Sequence, residues 1–209
     1  MKLYDFSLAP NPRIVRIYLA EKGVNIPVVQ VDLMRAEQLT PEFRAKSPQC
    51  DVPVLELDDG QCISQVMAIC RYVEELYPEP PLLGSNALER AQVEMWNHIV
   101  FLNGMTGMSE ALRNRAGAFV DRAVVGPHDF SQIPELVTRG LKRLGHFYQD
   151  INERLAQVEF IAGDHFSIAD ISTLAVVDFA KNGKIQIPEE SRHFKRWYDL
   201  VSQRPSASA

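Results

Sequence analysis

The chain has 209 residues, 46 % hydrophobic and 23 % charged, which suits one sizeable globular domain or two small ones and excludes disorder as the default state. Its formal net charge is −5 and no block of Lys or Arg occurs, so neither nucleic acid nor a membrane surface is an expected partner. No apolar run approaches the roughly 20 residues that span a bilayer, and Asp5 and Asn11 interrupt the N-terminus before a signal-type apolar core forms, so the expected location is cytoplasmic.

Residues 2–6 alternate and read as a first strand. Residues 12–23 then carry Ile14, Val15, Tyr18 and Leu19 at helical spacing, and Gly23 stops that helix. Asn11 suits its N-cap and Pro12 its first position. The β-branched run at 26–31 predicts a second strand, and 41–46 a short helix. Val52-Pro53-Val54-Leu55-Glu56-Leu57, the turn Asp58-Asp59-Gly60 and the short strand at 61–63 form a hairpin. A helix follows from Ser64 to about Tyr77. The order is β-α-β-α-β-β-α.

Pro78-Glu79-Pro80-Pro81 ends that helix and stiffens the connection. A domain boundary is placed there, with domains at 1–80 and 87–209. Beyond it the pattern is helical, with expected helices at 87–116, 133–156, 167–181 and 190–203 and a loop at 117–131. Ser167-Ile168-Ala169-Asp170, flanked by Phe166 and Ile171, has the spacing of a capping box with a hydrophobic staple. It reads as a helix start rather than as a nucleophile with its acid.

Cys50, Cys62 and Cys70 are odd in number and without C-x-x-C spacing, and read as reduced thiols. His98, His128, His146, His165 and His193 lack ligand spacing, so no metal is expected.

Five segments in this order resemble the glutathione transferase superfamily: 13–23, 52–60, Ala68-Ile69-Cys70-Arg71-Tyr72, 166–171, and Trp197-Tyr198 with Arg204-Pro205-Ser206. The resemblance covers nearly the whole chain. It implies an α/β thioredoxin-like first domain that binds glutathione and an all-α second domain that carries the second-substrate pocket. It also implies a homodimer built on the third and fourth helices, with glutathione as co-substrate and no cofactor. Ala9-Pro10-Asn11-Pro12-Arg13 narrows it to a bacterial and fungal branch without the usual first-domain Ser, Tyr or Cys, whose members are thought to activate glutathione through a bound water.

The chemistry implied is thiolate attack, and a helix N-terminus stabilises such an anion. Ala9 falls where several classes keep an activating Ser and has no donor. Ser7, Asn11 and Arg13 are the catalytic candidates. Ser7 equally suits a strand-end hydroxyl satisfied by backbone, and Arg13 a solvated surface charge. The resemblance assigns Gln38 to the glycyl carboxylate, Val52 and a cis Pro53 to the cysteinyl part, and Gln65 and Val66 to the γ-glutamyl part. Gln65-Val66 departs from the family's acid and Ser, and the lost hydroxyl weakens the expected affinity. Met105, Met108, Ser109, Leu112 and Arg113 take the positions of the second-substrate pocket, although Met at helical spacing also suits a core.

The leading expectation is an enzyme that conjugates or reduces small hydrophobic electrophiles with glutathione. The alternative is a non-enzymatic protein of the same fold that binds ligands or partners.

Overall fold

The computed structural model describes residues 1–209. Strand β1 (Lys2–Asp5) lies at the middle of a four-stranded mixed sheet of order β2-β1-β3-β4. It runs parallel to β2 (Val28–Gln30) and antiparallel to β3 (Val54–Glu56), which pairs in turn with β4 (Cys62–Ser64). Leu3 faces Leu55 and Tyr4 faces Val54 across the β1–β3 register. Side chains alternate between sheet faces. Leu3 and Leu55 therefore enter the main core with α1 (Pro10–Glu21) and α3 (Val66–Leu76). Tyr4 and Val54 join Val31, Val52 and Phe43 of α2 (Pro41–Arg44) on the other face.

Helix α1 begins two residues earlier than the sequence predicts. Ala9 is its cap, extended at φ −91° and ψ 142° as a residue before proline prefers, and Pro10 occupies the first helical position. Asn11 is one residue inside and makes no capping bond. Helix α3 begins two residues later than expected, because Ser64 pairs with Val54 in the sheet. Gln65 then turns the chain at φ 75° and ψ 129°, in the left-handed region that non-glycine residues rarely adopt. The Val52–Pro53 bond is cis, as the resemblance implied, and so is Glu79–Pro80.

The second unit is helical: α4 (Ala87–Ile99), α5 (Thr106–Arg113), α6 (Pro134–Leu155), α7 (Ile168–Asn182) and α8 (Arg192–Ser202). The single helix expected at 87–116 is divided by a π-helical segment, Val100–Met105. Such segments keep near-helical spacing, so the apolar pattern does not betray them. Helices α5 and α6 approach at glycines: a Cβ on Gly140 would lie 2.5 Å from the Gly107 carbonyl oxygen. Helix α7 runs through the centre of the unit with Ile168, Ile171, Leu174 and Val177 all buried. Its start is the expected capping box. Ser167 Oγ accepts from the Ala169 N–H at 3.3 Å, and the Asp170 carboxylate accepts from the Ser167 N–H at 3.0 Å.

Helix α1 is the joint between the units. Arg13 pairs with Asp178 of α7 at 2.8 Å and donates to the Ala207 carbonyl at 3.0 Å. Glu21, at the other end, is held by Arg204 and Ser206. The buried Lys22 ammonium reaches Glu74 of α3 and the carbonyls of Pro78 and Pro80, so the proline-rich connection is tied to the end of α1.

Candidate functional site

A cleft of about 260 Å³ opens where the N-termini of α1 and α3 meet α4. Asn11, Gln65, Val66 and Met67 line one wall, and Glu94, Asn97, His98 and Phe101 the other. A larger groove of about 580 Å³ lies between the end of α3, the proline connection and the start of α4. It is edged by the carboxylates of Glu74, Glu75, Glu79 and Glu94 and by the guanidinium groups of Arg71 and Arg90. The smaller cleft is the candidate site, because unpaired backbone N–H groups collect there.

The first turn of α1 has an unusual donor inventory. Pro10 and Pro12 have no N–H, and the Arg13 N–H already reaches the Ala9 carbonyl at 3.4 Å. Asn11 therefore holds the one free backbone donor of that turn. Its side-chain Oδ1 is buried without a partner. Asn11 thus brings a helix-end N–H and an unpaired carboxamide oxygen to the same wall of the cleft.

Helix α3 offers the amides of Val66, Met67 and Ala68, whose positions in the first turn leave them without intrahelical partners. The Val66 side chain is 5 % exposed and belongs to the core. Gln65 directs its carboxamide sideways, and Nε2 donates to Asp51 Oδ2 at 2.7 Å. Ser47 Oγ donates to the other oxygen, Asp51 Oδ1, at 2.7 Å. Next along the chain, the Val52 N–H and C=O make no hydrogen bond within the protein. Gln38 is buried on the loop before α2 with its Oε1 unpaired.

The other anticipated residues lie elsewhere. Ser7 is exposed on the turn after β1; its backbone N–H donates to Gln30 Oε1 at 3.0 Å, its carbonyl accepts from Arg16, and its hydroxyl has no partner. The Arg13 guanidinium turns towards α7 and the C-terminal segment, and Asp178 already matches its charge. Arg13 is therefore neither a solvated surface charge nor a free cation for the cleft. Met105 and Met108 are core side chains, 9 % and 3 % exposed, while Ser109 and Leu112 are half-buried. Arg113 holds the loop after α5 in place. It donates to the carbonyls of Ala123 and Arg122 and lies 4.3 Å over the Phe119 ring. Burial, helped by the nearby Arg122 charge, lowers its pKa.

The sequence reading did not single out Asp51 or the α4 residues of the far wall. Asn97 is 2 % exposed and bridges three helices: Nδ2 reaches Met67 Sδ at 2.9 Å, and Oδ1 accepts from Ser172 Oγ at 2.7 Å. Its signal was present in the sequence, as the polar member of a buried stripe with Val93 and Val100. Chemically, two helix N-termini and a free peptide edge favour an extended, anionic, peptide-like ligand.

Comparison with known proteins bears on the ligand. Residues 3–81 match the family model of the glutathione S-transferase N-terminal domain, and residues 119–205 that of the C-terminal domain. The chain is 34 % identical to glutathione S-transferase 2 of Saccharomyces cerevisiae over 99 % of its own length and 87 % of that protein's. It is 30 % identical to glutathione S-transferase F10 of Arabidopsis thaliana, covering 98 % and 93 %. Among solved structures, a glutathione S-transferase domain-containing protein of Marinobacter aquaeolei superposes with a TM-score of 0.92 at 38 % identity, covering 99 % of both chains. Gtt2 of Saccharomyces cerevisiae superposes with a TM-score of 0.89 at 33 % identity, covering 100 % and 99 %.

Proposed function

The chain belongs to the glutathione S-transferase superfamily, and on that premise we propose that it is an enzyme that binds glutathione in the cleft at Asn11 and Gln65 and transfers its thiolate to small hydrophobic electrophiles. The observation that carries this reading is the meeting of two helix N-termini on one wall of a cleft. The amides of Val66 and Met67 suit the γ-glutamyl carboxylate, the free Val52 peptide groups suit the cysteinyl part, and Gln38 takes the glycyl end. That extended pose brings the thiol to Asn11.

In this mechanism the free Asn11 N–H carries the positive end of the α1 dipole, and the carboxamide rotates about its last bond so that its N–H₂, in place of the unpaired Oδ1, donates to the sulfur. Together they favour the thiolate over the thiol, whose proton leaves to water. The sulfur then attacks the electrophilic carbon. A C–S bond forms, and the leaving group departs with its bonding electrons. On an activated alkene, water instead protonates the carbanion. Ser7 acts at most as a helper. Residues 1–80 hold glutathione and 87–209 the second-substrate pocket, where Ser109 and Leu112 are the half-buried candidates. A role in detoxification and a cytoplasmic location complete the reading; no helix is long and apolar enough to cross a membrane.

A homodimer joined along α3 and α4 fits the exposed Leu76, Tyr77 and Met95 on those elements. Sedimentation at micromolar concentration is expected to give twice the chain mass.

The test of the reaction is the ultraviolet absorbance of the bound thiolate, titrated against pH. Asn11→Ala is expected to raise the thiol pKa by about 1–2 units, the worth of one hydrogen bond to a charged group. Ser7→Ala and Arg13→Ala should leave it nearly unchanged. Retention on immobilised glutathione without turnover of an activated aryl halide would instead favour a binding protein.

A further inference from the structure

Taking glutathione as the ligand, we infer that Asp51, and not residue 65, supplies the negative charge for the γ-glutamyl α-ammonium and does so through the Gln65 carboxamide it holds.

The Asp51 carboxylate accepts from uncharged donors, Ser47 Oγ on one oxygen and Gln65 Nε2 on the other, both at 2.7 Å. No Lys, Arg or His pairs with it. A carboxylate has about four lone-pair sites, so acceptor capacity remains on both oxygens. The Asp51 backbone N–H reaches Ser47 Oγ at 3.4 Å, which fixes the side chain and main chain of this residue to one small loop. A full negative charge is thus held still beside the free Val52 peptide groups and one hydrogen bond from the head of α3.

An α-amino acid head carries its carboxylate and ammonium on one carbon. If the α3 amides take the carboxylate, the ammonium falls within a few ångströms of them, at the Gln65 carboxamide. Gln65 Nε2 is already committed to Asp51, so its Oε1 is the end that faces a ligand donor. The ammonium then meets a neutral acceptor backed by an anion. This also explains the residue at 65. A Glu there would put its carboxylate against that of Asp51, where like charges repel. Gln keeps the hydrogen bond and leaves a single negative charge, moved to the neighbouring loop.

Calorimetry with two ligands tests this: glutathione, and its des-amino analogue, in which a glutaryl group replaces γ-glutamyl. Wild-type protein is expected to bind glutathione at least about tenfold more tightly, the loss of one hydrogen bond to a charged group. Asp51→Asn should remove most of that preference by weakening glutathione alone. Asp51→Asn combined with Gln65→Glu should restore it, because the charge returns to the same ammonium. A wild type that does not discriminate overturns the inference without recourse to any variant. Equal weakening of both ligands by Asp51→Asn also overturns it, since Asp51 would then only position Gln65. A wild type that binds neither compound overturns the glutathione reading and this assignment with it, whereas normal glutathione binding by Asp51→Asn overturns this assignment alone.

Discussion

Arg204 holds Glu21 by two hydrogen bonds, from Nε at 2.8 Å and from Nη2 at 2.7 Å. Burial raises the Glu21 pKa, but the Arg204 and Ser206 hydrogen bonds and the Arg204 charge together outweigh it and leave it lowered. The Glu21 side chain is 9 % exposed and that of Arg204 is 37 % exposed, so the pair lies between a surface bridge and a buried one. Arg204→Ala is expected to cost about 2 kcal/mol, between the values for those two classes. Urea unfolding measures this, and a loss below about 0.5 kcal/mol would place the pair among surface bridges.

Helix α6 offers a comparison between two of its own glycines. A Cβ on Gly140 would meet the Gly107 carbonyl oxygen at 2.5 Å and the Ala111 nitrogen at 2.6 Å, whereas one on Gly145 would meet nothing within 4 Å. Gly140→Ala should destabilise by about 1–3 kcal/mol, because backbone must move. Gly145→Ala should stabilise by about 0.5–1 kcal/mol through helix propensity. Thermal midpoints moving in the same direction would refute the packing argument.

Asp170 satisfies three elements at once. Its carboxylate accepts from the Ile161 N–H at 2.9 Å, the Trp197 indole N–H at 2.8 Å and the Ser167 N–H at 3.0 Å. Burial nevertheless pushes its pKa up to about 6, against the pull of those donors. Asp170→Ala leaves the donors buried without partners, and a loss of about 3–5 kcal/mol follows. Trp197 fluorescence during denaturation reads both the stability and the indole environment.

Glu56 gives a pH dependence of definite sign. The hydrogen bond from Lys46, then those from Tyr4 and Lys2, hold its carboxyl at about 2. Its folded pKa is therefore below its unfolded value of 4.5. The stability it contributes is complete above that value and is lost as pH falls towards 2. Thermal midpoints of the wild type and of Glu56→Gln should differ near neutrality and converge in acid. A constant difference across that range would show that the charge is not what matters. Asp170, whose shift runs the other way, is present in both proteins and cancels in the comparison.

Val66→Ser separates binding from folding. A serine hydroxyl at the head of α3 adds a donor for the γ-glutamyl carboxylate, and glutathione affinity should rise about tenfold. Val66 is 5 % exposed, so the same change should cost about 1–2 kcal/mol of stability in lost apolar burial. Calorimetry and urea unfolding on one variant are expected to move in opposite directions. Unchanged affinity would mean that the γ-glutamyl group is held elsewhere.

The strand and helix order was legible because the alternation around Leu3 and the stripe from Ile14 to Leu19 are local patterns. The start of α1 was ambiguous for a physical reason. Pro10 and Pro12 both suit a first turn, and Pro10 takes the first position because Ala9 before it is driven extended. The π segment after Ile99 left the apolar spacing nearly intact, so nothing local marked the break. Three of the residues that line the cleft, Asn11, Gln65 and Val66, were legible from their places at helix starts. Asp51 gains meaning from Gln65, 14 residues on, and Arg13 from Asp178 on a helix of the other unit. Pairings of that kind leave no periodic trace in a single sequence.

The attachment of α1 also sets a clock for biosynthesis. Arg13 waits for Ala207, 194 residues later, and Glu21 for Ser206, 185 residues later. A ribosome adding about 5–20 residues per second needs about 10–40 s to supply those partners. Until then the helix whose tip carries Asn11 is tied to the rest of the chain by Lys22, through Glu74, Pro78 and Pro80, and, once α7 is made, by the Arg13–Asp178 pair. A nascent chain stalled inside α8 would hold every residue that lines the cleft and still lack the Arg204–Ala207 segment that braces α1, so that wall of the cleft is completed by residues far beyond its own domain.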